Sequence, residues 1–129
     1  MKLVRRSLAA LLLAMALCSV AGCAPEYDHT DIGPSRQSVL GGRVDRQGIQ
    51  VPEGMIVTAH IVSYNDDNKV MTMSLRATDP TILDVANVIS DHDFAFIGRK
   101  QGTTEVELRA DDRVVLVMQA VVGPQPTPP

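Results

Sequence analysis

The chain has 129 residues, a formal net charge of −3 and a sequence pI of about 5.5. That length allows one domain, and the acidic balance argues against a nucleic-acid partner or a polybasic grip on anionic lipid. Aromatic residues make up 3% of the chain and Trp is absent, so any core must be built from Val, Ile, Leu, Met and two Phe.

The N-terminus reads as a targeting segment. Lys2, Arg5 and Arg6 form a basic head, and Ser7 to Leu17 is a Leu/Ala/Met run too short to span a bilayer. It closes at Val20-Ala21-Gly22-Cys23. Small residues before a cysteine at the end of a short apolar run resemble the lipobox of bacterial lipoproteins. The resemblance implies cleavage between Gly22 and Cys23, acylation of Cys23, and attachment to a membrane through that lipid. Residues 1–22 are then the signal peptide, and Arg5-Arg6 suits general export better than a twin-arginine route. Cys18 is lost with the signal and Cys23 is consumed by the lipid, so the body carries no thiol and no disulfide. All fifteen acidic residues follow Cys23 but only nine basic ones do, which sets the body at −6 with His neutral. Under the sorting rule of enteric-type lipoproteins, Ala24 in place of Asp implies the outer membrane.

From Ala24 to Ser35 the sequence lacks apolar periodicity and contains Pro25, Gly33 and Pro34, so residues 23–35 read as a lipidated cysteine and flexible tether. The domain proper is expected over 36–122. Short extended pieces around Ser38–Leu40 and Ile49–Val51 are divided by glycines, a pattern suited to a sheet edge. Pro52-Glu53-Gly54 is a turn. Met55 to Tyr64 alternates, with Met55, Val57, Ala59 and Ile61 on the inner face and His60 outward. Asn65-Asp66-Asp67-Asn68 is turn chemistry without the ligand spacing of an EF-hand. Val70–Arg76, Ile82–Val85, Phe94–Ile97, Thr103–Ala110 and Arg113–Val122 complete the strands, the last two joined at Asp111-Asp112. Residues 123–129 (GPQPTPP) form a proline-rich tail, disordered and unable to join a sheet. No stretch of the body has a sustained helical period with caps. About seven short strands with turns roughly every 8–12 residues predict an all-β, immunoglobulin-like sandwich.

Asp79-Pro80-Thr81-Ile82-Leu83-Asp84-Val85, then Phe94 to Gly98, then Gly102-Thr103-Thr104 and a Val-rich strand, stand in an order that resembles the N-terminal β-domain of tight-adherence pilus secretins. More broadly it is similar to group 2 bacterial immunoglobulin-like domains. The match covers about residues 50–122. It implies scaffold roles: Pro80 fixes the start of a short strand, Gly98 and Gly102 permit close approach or positive φ, and Thr103-Thr104 restart a strand. It brings no catalytic residue, and nothing in the chain resembles the membrane-spanning barrel of a secretin.

Other chemistry is thin. Asp91-His92-Asp93 supplies metal-ligand types, yet no further converging group is specified. No strained Gly-x-Ser-x-Gly turn and no glycine loop entering a helix are present. The sequence therefore points to a non-enzymatic envelope lipoprotein without cofactor, metal or small-molecule substrate. It would serve as an assembly or protein-interaction module, linked to a pilus or secretion machine, whose partner is another envelope protein or a second copy. The competing reading is a cell-surface adhesion or glycan-binding module. The candidate interface lies on the last two strands. Gln119 marks the outward face of the final strand, because an unpaired amide is costly in a core. That assignment puts Val115, Val117 and Val121 outside, beside Glu105, Glu107 and Arg109.

Overall fold

A computed structural model describes residues 24–33, 42–88 and 90–129. The signal segment, Gly22, Cys23 and the extended piece around Ser38–Leu40 lie outside the described residues. Nine strands follow in order: β1 (Tyr27–Gly33), β2 (Arg43–Asp45), β3 (Gly48–Pro52), β4 (Ile56–Asn65), β5 (Met73–Ala77), β6 (Leu83–Asn87), β7 (Asp93–Gly98), β8 (Gly102–Ala110) and β9 (Arg113–Gly123). They form two sheets, one of four strands in the order β1-β4-β7-β6 and one of five in the order β2-β3-β9-β8-β5. All pairings are antiparallel except β3 with β9, which run parallel from Ile49↔Ala120 to Pro52↔Gly123. The result is an immunoglobulin-like β-sandwich, as the alternation of the sequence requires.

The inner faces meet as the period of two dictates. Val57, Ala59 and Ile61 of β4 join Phe94 and Phe96 of β7 and Leu83 of β6 on one side. Opposite them lie Ile49, Val51, Val106, Leu108, Met118, Ala120 and Val122. Both phenylalanines are fully buried, and both stand on β7. Burying such side chains contributes roughly 1.5–3 kcal/mol each.

Two expectations need correction. The segment read as tether is largely strand: β1 pairs antiparallel with β4 from Tyr27↔Asn65 to Gly33↔His60. Its sequence, YDHTDIG, hides the strand because its inner face is mostly polar. Thr30 is buried, its Oγ1 lying 2.9 Å from the Oγ of fully buried Ser63, while Ile32 packs on the core. A hydroxyl pair satisfied inside the sandwich replaces the apolar residue that periodicity looks for. The strand count is also nine rather than about seven, because β1 and the three-residue β2 carry little apolar signal.

The strands define two poles. At one, the Asn65–Lys69 loop is tied to Glu26, whose carbonyl accepts from Asp66 N at 2.9 Å. Asp111 N donates to the Thr72 carbonyl at 3.0 Å, bringing the β8–β9 hairpin to the same end. Asp111 and Asp112 both have positive φ (47° and 65°), the pairing that a tight primed hairpin demands. At the other pole, Glu53 N donates to Gly123 O and Gly54 N to Gly98 O, each at 2.9 Å.

Candidate functional site on the five-stranded sheet

The outer face of the five-stranded sheet is centred on β9. Val117 and Val121 project from it, 48% and 43% exposed. Register with β8 sets Val121 beside Thr103, Gln119 beside Glu105, and Val117 beside Glu107. Gln119 Nε2 donates to Glu105 Oε1 at 2.9 Å, and Arg109 lies 3.6 Å from Glu107. Arg76 of β5 is opposite Glu107, and Gln50 of β3 sits between Val121 and Arg43 of β2. The face is thus an apolar row flanked by mixed charge on both sides, with Glu105, Glu107, Arg109 and Arg76 on one and Gln50, Arg43 and Asp45 on the other.

Val115 does not belong to it. The β8–β9 register shifts so that Leu108 opposes Leu116 while Arg109 opposes Val114. Val115 is the extra residue of a β-bulge, which reverses inward and outward beyond it. Val115 is half-buried against the core, and Val114 takes the outward place with 46% exposure. The exposed row is therefore Val114, Val117 and Val121. Strict alternation cannot reveal this, since a bulge moves every following side chain to the other face.

The turn residues of the sequence motif converge at the pole where the chain leaves β9. Asp79 Oδ1 accepts from Thr81 N at 3.0 Å and from Thr81 Oγ1 at 2.6 Å. These bonds, with the Thr81 hydroxyl first, hold the Asp79 carboxyl below its ordinary pKa. Asp79 N donates to Thr104 Oγ1 at 3.0 Å, which explains why Thr104 is buried while Thr103 faces out. Pro80 lies inside this turn, ahead of β6. A Cβ placed on Gly98 would stand 2.4 Å from the Pro52 carbonyl oxygen, so only glycine lets β7 end against β3. Gly102 has φ +156° and lies under Ile82. These are contacts of a scaffold.

Two polar clusters form on the outer face of the four-stranded sheet, one of them joining His60 to the Asp91-His92-Asp93 segment that the sequence names separately. His60 Nδ1 and Asp93 Oδ1 are 2.9 Å apart, and Ser90 Oγ donates to Asp93 Oδ2 at 2.7 Å. The His60 contact, then Ser90, holds the Asp93 carboxyl below its ordinary pKa. The serine thus bonds the Asp93 carboxylate rather than an imidazole. His92 meets His60 edge-on at 6.1 Å between centroids. On β1, His29 stacks on Tyr64 at 5.0 Å with Asp28 2.7 Å from its Nδ1. Both clusters depend on long-range register, which local spacing does not encode. Among the described residues no three His, Cys, Asp or Glu groups converge as a metal set. An open cleft of 510 Å³ runs between Gln50–Pro52, Val121 and the tail from Gly123 to Thr127.

Against known proteins, no family model matches the chain, and no curated protein matches it. Solved structures do. The S-layer protein SbsC, domains 4 and 5, superposes with a TM-score of 0.55 over 78% of this chain at 11% identity. A structure of domains 1–6 of that surface layer protein gives 0.57 over 81% at 11% identity, and domains 5–6 give 0.54 over 77% at 11%. This chain spans 54% of the two-domain structure and 14% of the six-domain one. The likeness is one of fold alone.

Proposed function

We propose that this is an envelope lipoprotein, held to the membrane by acylated Cys23, that acts as a non-catalytic assembly module. Its docking surface is the outer face of the five-stranded sheet, and the occupant is a second copy of the same face. The observation that carries this reading is the row Val114, Val117 and Val121, three exposed valines on the central strand of a sheet. Apolar stripes rimmed by charge are what interfaces bury. The valine row favours self-association, because a two-fold axis along β9 lays it on the same row of a second copy. Rotation by a half-turn about an axis along β9 sets the β8 carboxylates Glu105 and Glu107 over the β3–β2 side of the copy. Register sets Thr103 of one copy level with Gln50 and Arg43 of the other and Glu105 level with Asp45, so the valines rather than the charges hold the pair together.

The fold shared with surface-layer domains supports a structural role at the cell surface or envelope. The Asp79-Pro80 and Gly98-to-Thr104 motif supports a tie to a pilus or secretion machine, and Ala24 supports the outer membrane. Val117→Asp should leave folding intact and abolish self-association in sedimentation of the purified protein. Unchanged sedimentation would remove this face from the reading. For the anchor, Cys23→Ser should yield a precursor that takes up no labelled fatty acid, and continued acylation would overturn it. A second reading, glycan adhesion, rests on the His29–Tyr64 stack beside Asp28 and Asp31. Tyr64→Ala should then abolish retention on a glycan array while leaving sedimentation unchanged.

A further inference from the structure

A domain on a flexible tether would sample all orientations, but the strand at Tyr27–Gly33 removes the tether. Structure begins even before that strand, because the Glu26 carbonyl is hydrogen-bonded to Asp66 N. Glu26 is three residues after Cys23, a stretch that spans about 11 Å at most when fully extended. The first fixed residue lies at the pole formed by the Asn65–Lys69 loop and the Asp111-Asp112 turn. The opposite pole, with Gly98–Gly102 and the tail after Gly123, is a strand length away. β9 runs between the poles with 11 residues, about 35 Å at roughly 3.3 Å per residue.

We infer that the domain stands pole-down on the lipid surface, with the loop Asn65–Lys69 and the hairpin Asp111-Asp112 against the headgroups and the proline-rich tail pointing away. This rests on the lipid-anchor reading of Cys23 and adds an orientation to it. The short leash is the cause, and attraction is not. The membrane-facing pole carries Asp66, Asp67, Asp111 and Asp112 against Lys69 and Arg113, so it is net acidic and has no affinity of its own for an anionic leaflet. The two side faces of the sandwich are thereby left open laterally, including the valine row of β9.

The test uses mature acylated protein in phosphatidylcholine vesicles carrying a headgroup-linked energy acceptor. The body has no other cysteine after Cys23, whose sulfur is blocked by the lipid, so an introduced thiol is labelled uniquely. Donors at Asp67→Cys and Arg113→Cys should transfer at least about twofold more efficiently than donors at Gln101→Cys and Thr127→Cys, given a pole separation of about 35 Å. A flexible Gly-Ser insertion between Cys23 and Tyr27 should level the four values. Equal transfer at all four positions without the insertion would overturn the orientation even with the anchor intact. Protein that lacks the acyl mass and fails to sediment with vesicles would overturn the anchor reading, a separately recognisable result.

Discussion

The hydroxyl pair Thr30–Ser63 decides whether β1 is a structural strand. Ser63 is fully buried, and its Oγ has Thr30 Oγ1 at 2.9 Å. Thr30 Oγ1 has a second partner, Tyr27 Oη, at 3.1 Å. The two single substitutions are therefore unequal. Thr30→Val keeps the shape and strands Ser63 without a partner, which costs about 2 kcal/mol, the middle of the range for a buried unsatisfied polar group. Ser63→Ala leaves Thr30 still bonded to Tyr27 and costs about 1 kcal/mol. The double variant has no stranded hydroxyl at Ser63, so it should lose about 1 kcal/mol rather than the additive 3, a coupling of about 2 kcal/mol between residues 33 positions apart. Urea unfolding of the four proteins reads this directly as midpoint shifts at constant slope. If Thr30→Val falls within about 0.3 kcal/mol of the parent and the cycle is additive, residues 27–33 do not pack on β4, and the strand assignment and the orientation built on it both fail.

The bulge makes a paired prediction about β9. Val115→Asp should destabilise by about 2 kcal/mol or more, because a carboxylate is forced against the core, whereas Val114→Asp should stay within about 0.5 kcal/mol. Thermal melts that rank the two the other way would restore strict alternation and refute the bulge. Asp79 makes a prediction in pH. Its folded pKa is depressed by the Thr81 hydroxyl and amide, so its contribution is fully present above the unfolded value and is lost as pH falls through the folded one. The stability gap between parent and Asp79→Asn should accordingly be widest at neutral pH and close below about pH 4. A gap that widens on acidification would contradict the sign.

What the sequence made legible follows from where its signal is periodic. β4, β8 and most of β9 alternate apolar and polar residues, and their inner faces were readable one by one, down to Val106 and Leu108, both fully buried. The Asp111-Asp112 hairpin was readable because few residue pairs tolerate two positive φ values. β1 was not, since its buried side chains are a threonine and an isoleucine among charges, and what stabilises it lies 33 residues away in Ser63. The parallel pairing of β3 with β9 was equally hidden, because strands far apart in sequence leave no local trace of their pairing within a sheet. At the candidate face, Val117 and Val121 were placed by Gln119, which lies between them. Val115 was misplaced because one inserted residue reverses the pattern, and Val114 was missed for the same reason.

The proposed anchor, if present, bears on how two copies can meet. Copies held by lipid in one leaflet, each with the same pole down, can be related only by rotation about an axis along the bilayer normal. The strands of each sandwich run from one pole to the other, so that axis lies along β9. It is the same axis that lays the valine row of one copy on that of the other. Antiparallel face-to-face packing, open to a protein in solution, would point one lipid away from the membrane. Sheets packed face to face keep their strands within about 30° of each other, an angle that a leash of about 11 Å tolerates at both feet. Confinement to a surface also raises the local concentration of copies, so association through the valine stripe is favoured further there than in dilute solution. Cross-linking through β9 should therefore be stronger on membranes than for the Cys23→Ser protein at equal total amount. Equal yields from the two would mean that the anchor and the valine face act independently.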